Sequence, residues 1–167
     1  SYPLHLACVN EDCSSSIIKL LFDMYPPALR HYSSVQFWDY QNGERDNERF
    51  GSRAEYYRVC PLHYYVARLS NMDIDIVKMF VEAYPEALVS RSTPSMDFTV
   101  LHAILYNPSV SEHIHVLHFL VEVEPLSIRT EDGFDRTPLL NACDNPNVSL
   151  EVVEFLFHKW PEAIRVR

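Results

Sequence analysis

Apolar and polar positions alternate along this chain on a helical spacing that repeats four times. The stretch Val148 to Pro161 shows it most clearly: Ser149 is suited to cap a helix, two and a half turns with little polar surface follow, and Pro161 ends them. From Ile17 to Pro26, Ile76 to Pro85, Val116 to Pro125 and Val152 to Pro161 the proline stands nine positions after the first residue, with Leu21, Phe80, Leu120 and Leu156 in register. Each predicted helix follows a residue able to accept from free N–H groups, namely Ser14, Asp73, Ser111 and Ser149. Polar pairs four residues apart form one narrow stripe on each: Lys19 with Asp23, Lys78 with Glu82, His118 with Glu122, Glu154 with His158. The remaining positions are nearly all apolar, so each of these helices should be covered on both flanks.

A shorter helix is predicted before each long one. These open at Tyr2-Pro3-Leu4-His5, Cys60-Pro61-Leu62-His63, Thr99-Val100-Leu101-His102 and Thr137-Pro138-Leu139-Leu140. Thr99 and Thr137 can cap, and proline in the first turn loses only an N–H that has no helical partner. The short helices should stop at Asn10, Asn71, Asn107-Pro108 and Asn145-Pro146, where asparagine tolerates the left-handed conformation and proline forbids continuation. A lone pair of such helices would leave apolar surface wet at roughly 25 cal/mol per Å2. Stacking of successive pairs removes that surface from water.

The architecture expected is therefore all-α: four helix-turn-helix units over about residues 2–30, 60–91, 99–130 and 137–167, in a single domain spanning 1–167. An insertion of about residues 31–59 separates the first two units. It sets Phe37, Trp38, Tyr40, Phe50, Tyr56 and Tyr57 among charged and amide residues, and this aromatic content argues that it packs back on the repeats.

Composition narrows the function classes. The chain has 167 residues, 47% of them hydrophobic, enough for one well-filled core. A formal net charge of −9, with basic residues single or in short mixed stretches, argues against a nucleic-acid partner. Apolar runs fall short of the roughly 20 residues a bilayer span needs, so no membrane insertion is expected. Cys8, Cys13, Cys60 and Cys143 form no CxxC pair, and Cys8 and Cys143 share one repeat position, which points to packing in a reducing, intracellular and cytoplasmic compartment. The first residues lie inside a repeat and no initiating Met precedes them, so a fragment or processed chain, part of a larger protein or assembly, is expected.

No chemistry stands out. His5, His63 and His102 share one repeat position, and stacked units would hold them roughly 10 Å apart, too far for common ligation. His113, His115 and His118 lack a Cys or carboxylate set to complete four zinc ligands. The only glycines are Gly43, Gly51 and Gly133, so there is no phosphate-cradling loop, and no nucleophile has a placed helper. Neither metal, cofactor nor catalysis is expected.

The Pro-Leu-His openings, Ala7 and Ala142, the Ile76-Val77-Lys78 style of second helix and the Asp132-Gly133-Phe134-Asp135-Arg136-Thr137 link resemble ankyrin repeats. The departures are plain. Leu4, Leu62, Leu101 and Leu139 are spaced by 58, 39 and 38 residues (62−4, 101−62, 139−101), against about 33 in the family. Pro26, Pro85, Pro125 and Pro161 replace the usual Gly, and Tyr65 and Ile104 replace a small Ala. The chain thus resembles a long, proline-terminated variant.

The resemblance implies a solenoid that binds a partner protein through a concave face and the finger loops Ser92–Phe98 and Glu131–Arg136. The histidine of each opening should bond to neighbouring loops, a role Leu140 cannot take. The exposed groove positions it implies are Leu6, Val9, Tyr64, Ala67, Arg68, Ala103, Tyr106, Asn141 and Asp144. Among them Tyr64, Arg68 and Tyr106 are the residue types that dominate interface energetics, with Asn141 and Asp144 beside them. Trp38 and Tyr40 of the insertion are a second candidate anchor. The rival reading is an assembly subunit docking through its repeat ends or the 31–59 insertion.

Overall fold

The computed structural model describes residues 2–34, 58–68, 70–91 and 97–166. Trp38, Tyr40 and nearly all of the 31–59 insertion lie outside them, as does the Arg68 side chain, so the expected packing of the insertion does too. The described chain is mostly helical. Four short helices, α1 (Pro3–Val9), α3 (Pro61–Arg68), α5 (Val100–Leu105) and α7 (Pro138–Asp144), alternate with four ten-residue helices, α2 (Ser15–Met24), α4 (Ile74–Ala83), α6 (Ile114–Val123) and α8 (Leu150–Lys159). Each long helix is followed at once by a proline-started 3-10 turn: Pro26–Arg30, Pro85–Leu88, Pro125–Arg129 and Pro161–Arg165. Proline does not simply end the chain's helical run; it tightens it, because its fixed φ suits a 3-10 turn whose first N–H is unused.

The helix starts follow from local side-chain chemistry. Ser14, Asp73 and Ser149 accept from the backbone N–H of Ile17, Asp75 and Val152, and Thr137 accepts from that of Leu140. Ser111 is an exception to the expected cap. α6 begins after His113, and the Ser111 hydroxyl turns to the fourth repeat, donating to the Asn147 carbonyl at 3.0 Å and accepting from the Ser149 N–H at 2.8 Å. The Asn ends also differ from expectation. Asn10 and Asn145 have extended, not left-handed, backbones (φ −85° and −81°). Their side chains cap the turn that follows: the oxygens of Asn10, Asn107 and Asn145 accept from the N–H two residues on, those of Asp12, Ser109 and Asn147.

The helical pairs file in sequence order. α1 packs on α3, α3 on α5 and α5 on α7, while α2 lies beside α4 and α4 beside α6. One continuous core results, and the first helices are its centre: every residue of α5 is buried, as are Tyr64, Tyr65 and Val66 of α3. The inner long helices are covered on both flanks, with Ile76, Val77, Phe80 and Val81 buried in α4 and Val116, Leu117, Leu120 and Val121 in α6. The outer two are not. Only Ile18 is buried in α2, and only Val152 and Leu156 in α8, because each lacks a neighbour on one side. The same edge effect separates the equivalent cysteines, Cys8 buried and Cys143 exposed.

At the root of the insertion, β1 (Ser33–Ser34) and β2 (Arg58–Val59) pair antiparallel, Ser33 opposite Val59. The Tyr64 hydroxyl donates to the Ser33 carbonyl at 2.9 Å, which fixes this root to α3.

Candidate protein-interaction site

The recurrent histidines are structural clamps between a repeat and the link to the next. His5 Nε2 lies 2.7 Å from the His31 carbonyl. His63 Nδ1 sits 3.1 Å from the Cys60 thiol, and its ring faces the carbonyls of Ser90 and Phe98. His102 Nδ1 takes the Thr99 hydroxyl at 2.9 Å, while its ring faces the carbonyls of Arg136 and Thr130. Nε2 of His63 and of His102 stops short of full hydrogen-bond geometry with those carbonyls. Cys60 therefore stands in for the Thr99 hydroxyl at the same repeat position, a weak S–H donor with its thiol pushed up by burial. Burial likewise lowers all three histidines, against the pull of the facing carbonyls, His63 and His102 to about 4. Burial thus favours the neutral imidazole at all three, and each ring is turned toward backbone carbonyls of the adjoining link.

His113 is also a repeat tie, its Nε2 2.8 Å from the Ser70 carbonyl, and His118 stacks on Phe155 with ring centroids 4.0 Å apart. Among the described residues no three His, Cys, Asp or Glu side chains cluster closely enough to hold a metal.

The groove residues inferred from the sequence divide sharply. Tyr64 and Asn141 are each 1% exposed, and Ala67 and Ala103 are buried too, so these four are not an open surface. For Tyr64, Ala103 and Asn141 the reason is positional: in a first helix the residue two after the recurring Leu is turned toward the preceding repeat and is sealed by it. Leu6 alone at that position is exposed, at 57%. Tyr106 is half-buried and Asp144 exposed, and these two do come together.

They meet at Arg136, which sequence reasoning left unassigned. The Glu131–Arg136 link turns around Asp132, whose Oδ1 accepts from the Phe134 N–H at 2.8 Å and the Arg136 N–H at 3.0 Å. Asp135 carries the left-handed backbone that closes this turn, φ 58°. Asp132 Oδ2 receives the Arg136 Nε at 3.1 Å and the Asn141 amide at 3.3 Å. Held this way, the Arg136 guanidinium bonds the Tyr106 hydroxyl, lies 3.4 Å from the Asp144 carboxylate, and rests 5.1 Å from the Phe134 ring centroid. Phe98 packs edge-on against Tyr106 at 6.3 Å.

Electrostatics follow the geometry. Burial pushes the Asp132 carboxyl up, but the Arg136 and Phe134 amides, the Arg136 charge and Asn141 together outweigh it and hold the group below its ordinary value. Burial raises the Tyr106 phenol to about 12, with Asp132 and Asp144 adding and Arg136 opposing. Phe134 stays 50% exposed on this rigid base. The neighbouring link is tied in as well, since Arg91 bonds both the Asp97 carboxylate at 2.5 Å and the Glu131 carbonyl at 3.2 Å.

The signal for Arg136 was present in the text of the link: an Asp followed two and four positions later by Phe and Arg suits a carboxylate-capped turn. A search against protein-family models found none that matches the chain, and none of the curated proteins searched is significantly similar to it.

Proposed function

We propose that the chain is an ankyrin-like repeat solenoid that binds another protein without catalysis, and that the Glu131–Arg136 finger is its anchor. The observation that carries this is the convergence of Phe134, Tyr106 and Asp144 on one guanidinium, that of Arg136, which the buried Asp132 carboxylate holds in place. An exposed aromatic backed by a fixed guanidinium and a half-buried tyrosine is the composition of an interface hot spot. Its rigidity matters as much as its composition, because side chains already ordered lose little entropy when a partner arrives.

Charge supports a choice of partner. Asp144 is largely exposed and Glu131 and Asp135 flank the same link, in a chain of net charge −9. A partner presenting an apolar side chain to Phe134 and a Lys or Arg to Asp144 fits this surface, and the overall field steers a basic molecule toward it. The test is capture of binding proteins from the source cell with the parent, Phe134→Ala and Asp144→Lys, followed by affinity measurement on the captured protein. Loss of about 2 kcal/mol with Phe134→Ala is the size expected of a central aromatic anchor. A partner that binds all three alike would refute the assignment.

A further inference from the structure

The Glu131–Arg136 turn is stiff within itself. The Asp132 N–H donates to the Arg136 carbonyl at 2.9 Å, and the Asp135 N–H donates to the Asp132 carbonyl at 3.1 Å. Bonds inside a turn keep its shape but do not fix how it sits on the stack. That depends on the bonds that leave it. Asn141 and Asp144 of α7 and Tyr106 at the end of α5 all meet the turn through Asp132 and Arg136. His102 faces the base of the turn from the buried side. Glu131, where the chain enters the turn, is held from the exposed side by a different group. Its carbonyl accepts from Arg91 Nη1 at 3.2 Å, and the Arg91 side chain is 40% exposed.

A surface arginine has many rotamers, and ordering it costs entropy. Asp97 supplies what orders this one: its carboxylate at 2.5 Å and its carbonyl at 3.2 Å both accept from the same Nη1. Asp97 itself takes the left-handed backbone, φ 42°, which is uncommon for a residue with a Cβ. The next residue, Phe98, is buried, its ring centroid 5.8 Å from that of His63 and 6.3 Å from that of Tyr106. Support therefore runs outward from the core. Phe98 seats Asp97, Asp97 seats Arg91, and Arg91 seats Glu131.

We infer that Arg91 is a positioning residue of the finger: it joins Asp97 to the Glu131 carbonyl, so that the turn is held on both sides and Phe134 is aimed before a partner arrives. The inference rests on the reading of this finger as the anchor and deepens it. Arg91 acts through Glu131 and needs no contact of its own with the partner. A surface ion pair contributes little to global stability. Losing this one is felt in the direction of the finger and not in the survival of the fold.

The test compares the parent, Arg91→Ala and Asp97→Gly by NMR. Glycine suits the left-handed backbone at position 97 and removes only the carboxylate. Backbone order parameters of the Gly133, Phe134 and Asp135 amides should be about 0.85 in the parent, the rigid value, and should fall below about 0.6 in Arg91→Ala. Residual dipolar couplings of the same amides should fit the frame of α5 and α7 in the parent and shrink in the variant. Asp97→Gly should show the same change, and the double variant should show no more than Arg91→Ala alone. The amides of α5 and α7 and the urea midpoint should match the parent throughout. Finger order parameters and couplings that stay unchanged in Arg91→Ala overturn the inference, because the turn is then aimed without that side chain. A urea midpoint that falls together with them overturns it equally and makes Arg91 a support of the fold. None of these measurements needs a partner, whereas binding that survives Phe134→Ala refutes the anchor whatever the order parameters show, so the two failures are read separately.

Discussion

The Asn145 side-chain amide donates to the Leu105 carbonyl at 2.9 Å, reaching back across one repeat, and also to the Asn107 carbonyl at 3.0 Å. Asn107 does the same one repeat earlier, donating to the Val66 carbonyl at 2.9 Å. Each of these asparagines both caps the turn after its own helix and satisfies the end of the preceding helix. Removing one strands buried carbonyls, whose desolvation is then uncompensated. Asn145→Ala should cost about 2 to 3 kcal/mol in urea unfolding, while Asn10→Ala, which is exposed and loses only its turn cap, should cost about 1 kcal/mol or less. Equal costs at the two positions would mean that the tie between repeats contributes little.

Tyr64 is expected to matter to the fold rather than to a partner. Its ring is buried, and its hydroxyl holds the root of the insertion through Ser33. Tyr64→Ala should destabilise the chain by about 3 to 5 kcal/mol, the range for emptying a large aromatic site. Tyr64→Phe should cost about 1 to 2 kcal/mol through the lost hydrogen bond. Unchanged melting of Tyr64→Ala would restore it as a surface residue.

The contrast between Tyr64 and Tyr106 shows where the sequence stopped being legible. Periodicity within a repeat identifies which residues are helical, and the capping residues place the helix starts to within a few positions, with Ser111 as the exception. It does not identify which face of a short helix meets the previous repeat, since that is set by the stacking of separate units. Tyr64, Ala103 and Asn141 therefore read as groove lining although they are sandwiched. Tyr106, three residues further along its helix than Ala103, sits at the rim where the Glu131–Arg136 link reaches it. The spacing from Asp132 to Arg136 announced a capped turn, but not that the folded turn buries the Asp132 carboxylate and so aims Arg136 at Tyr106 and Asp144.

Acid should unfold the protein in two stages. His63 and His102 are held by burial at about 4 in the folded chain, below their ordinary 6.5. Between these values the unfolded chain takes up protons that the folded chain refuses, so stability present at neutral pH is lost as pH falls from about 6.5 toward 4. The complete loss is on the order of 3 kcal/mol for each histidine. Asp132 acts in a lower window: its carboxyl is held below the ordinary value, so its contribution is present above about pH 4 and disappears below it. The urea midpoint should drop markedly between neutral pH and about pH 4.5, and His63→Leu should flatten that drop by removing one of the contributing groups. A parent midpoint unchanged over this range would contradict the burial of neutral imidazoles.

Asp132→Ala should loosen the finger as a whole. It withdraws the acceptor from two backbone N–H groups, from the Arg136 guanidinium and from the Asn141 amide. A cost of about 3 kcal/mol or more is expected, because Asp132 is the shared partner of a charged and several neutral donors. Arg136→Ala should cost a similar amount by leaving the buried carboxylate unpaired, and the double variant should cost clearly less than the sum of the two. Additive costs would show that the two side chains act independently.

The same substitution at one repeat position should have opposite consequences in the middle and at the end of the stack. Leu88 and Ile164 both follow the Ala of a proline-started turn, yet Leu88 is 5% exposed and Ile164 68% exposed. Leu88→Ala removes apolar volume from a sealed contact and should cost about 2 to 4 kcal/mol. Ile164→Ala removes surface already in water and should stay within about 0.5 kcal/mol. If Ile164→Ala instead costs as much as Leu88→Ala, the position is packed within the single chain and the end face is not open.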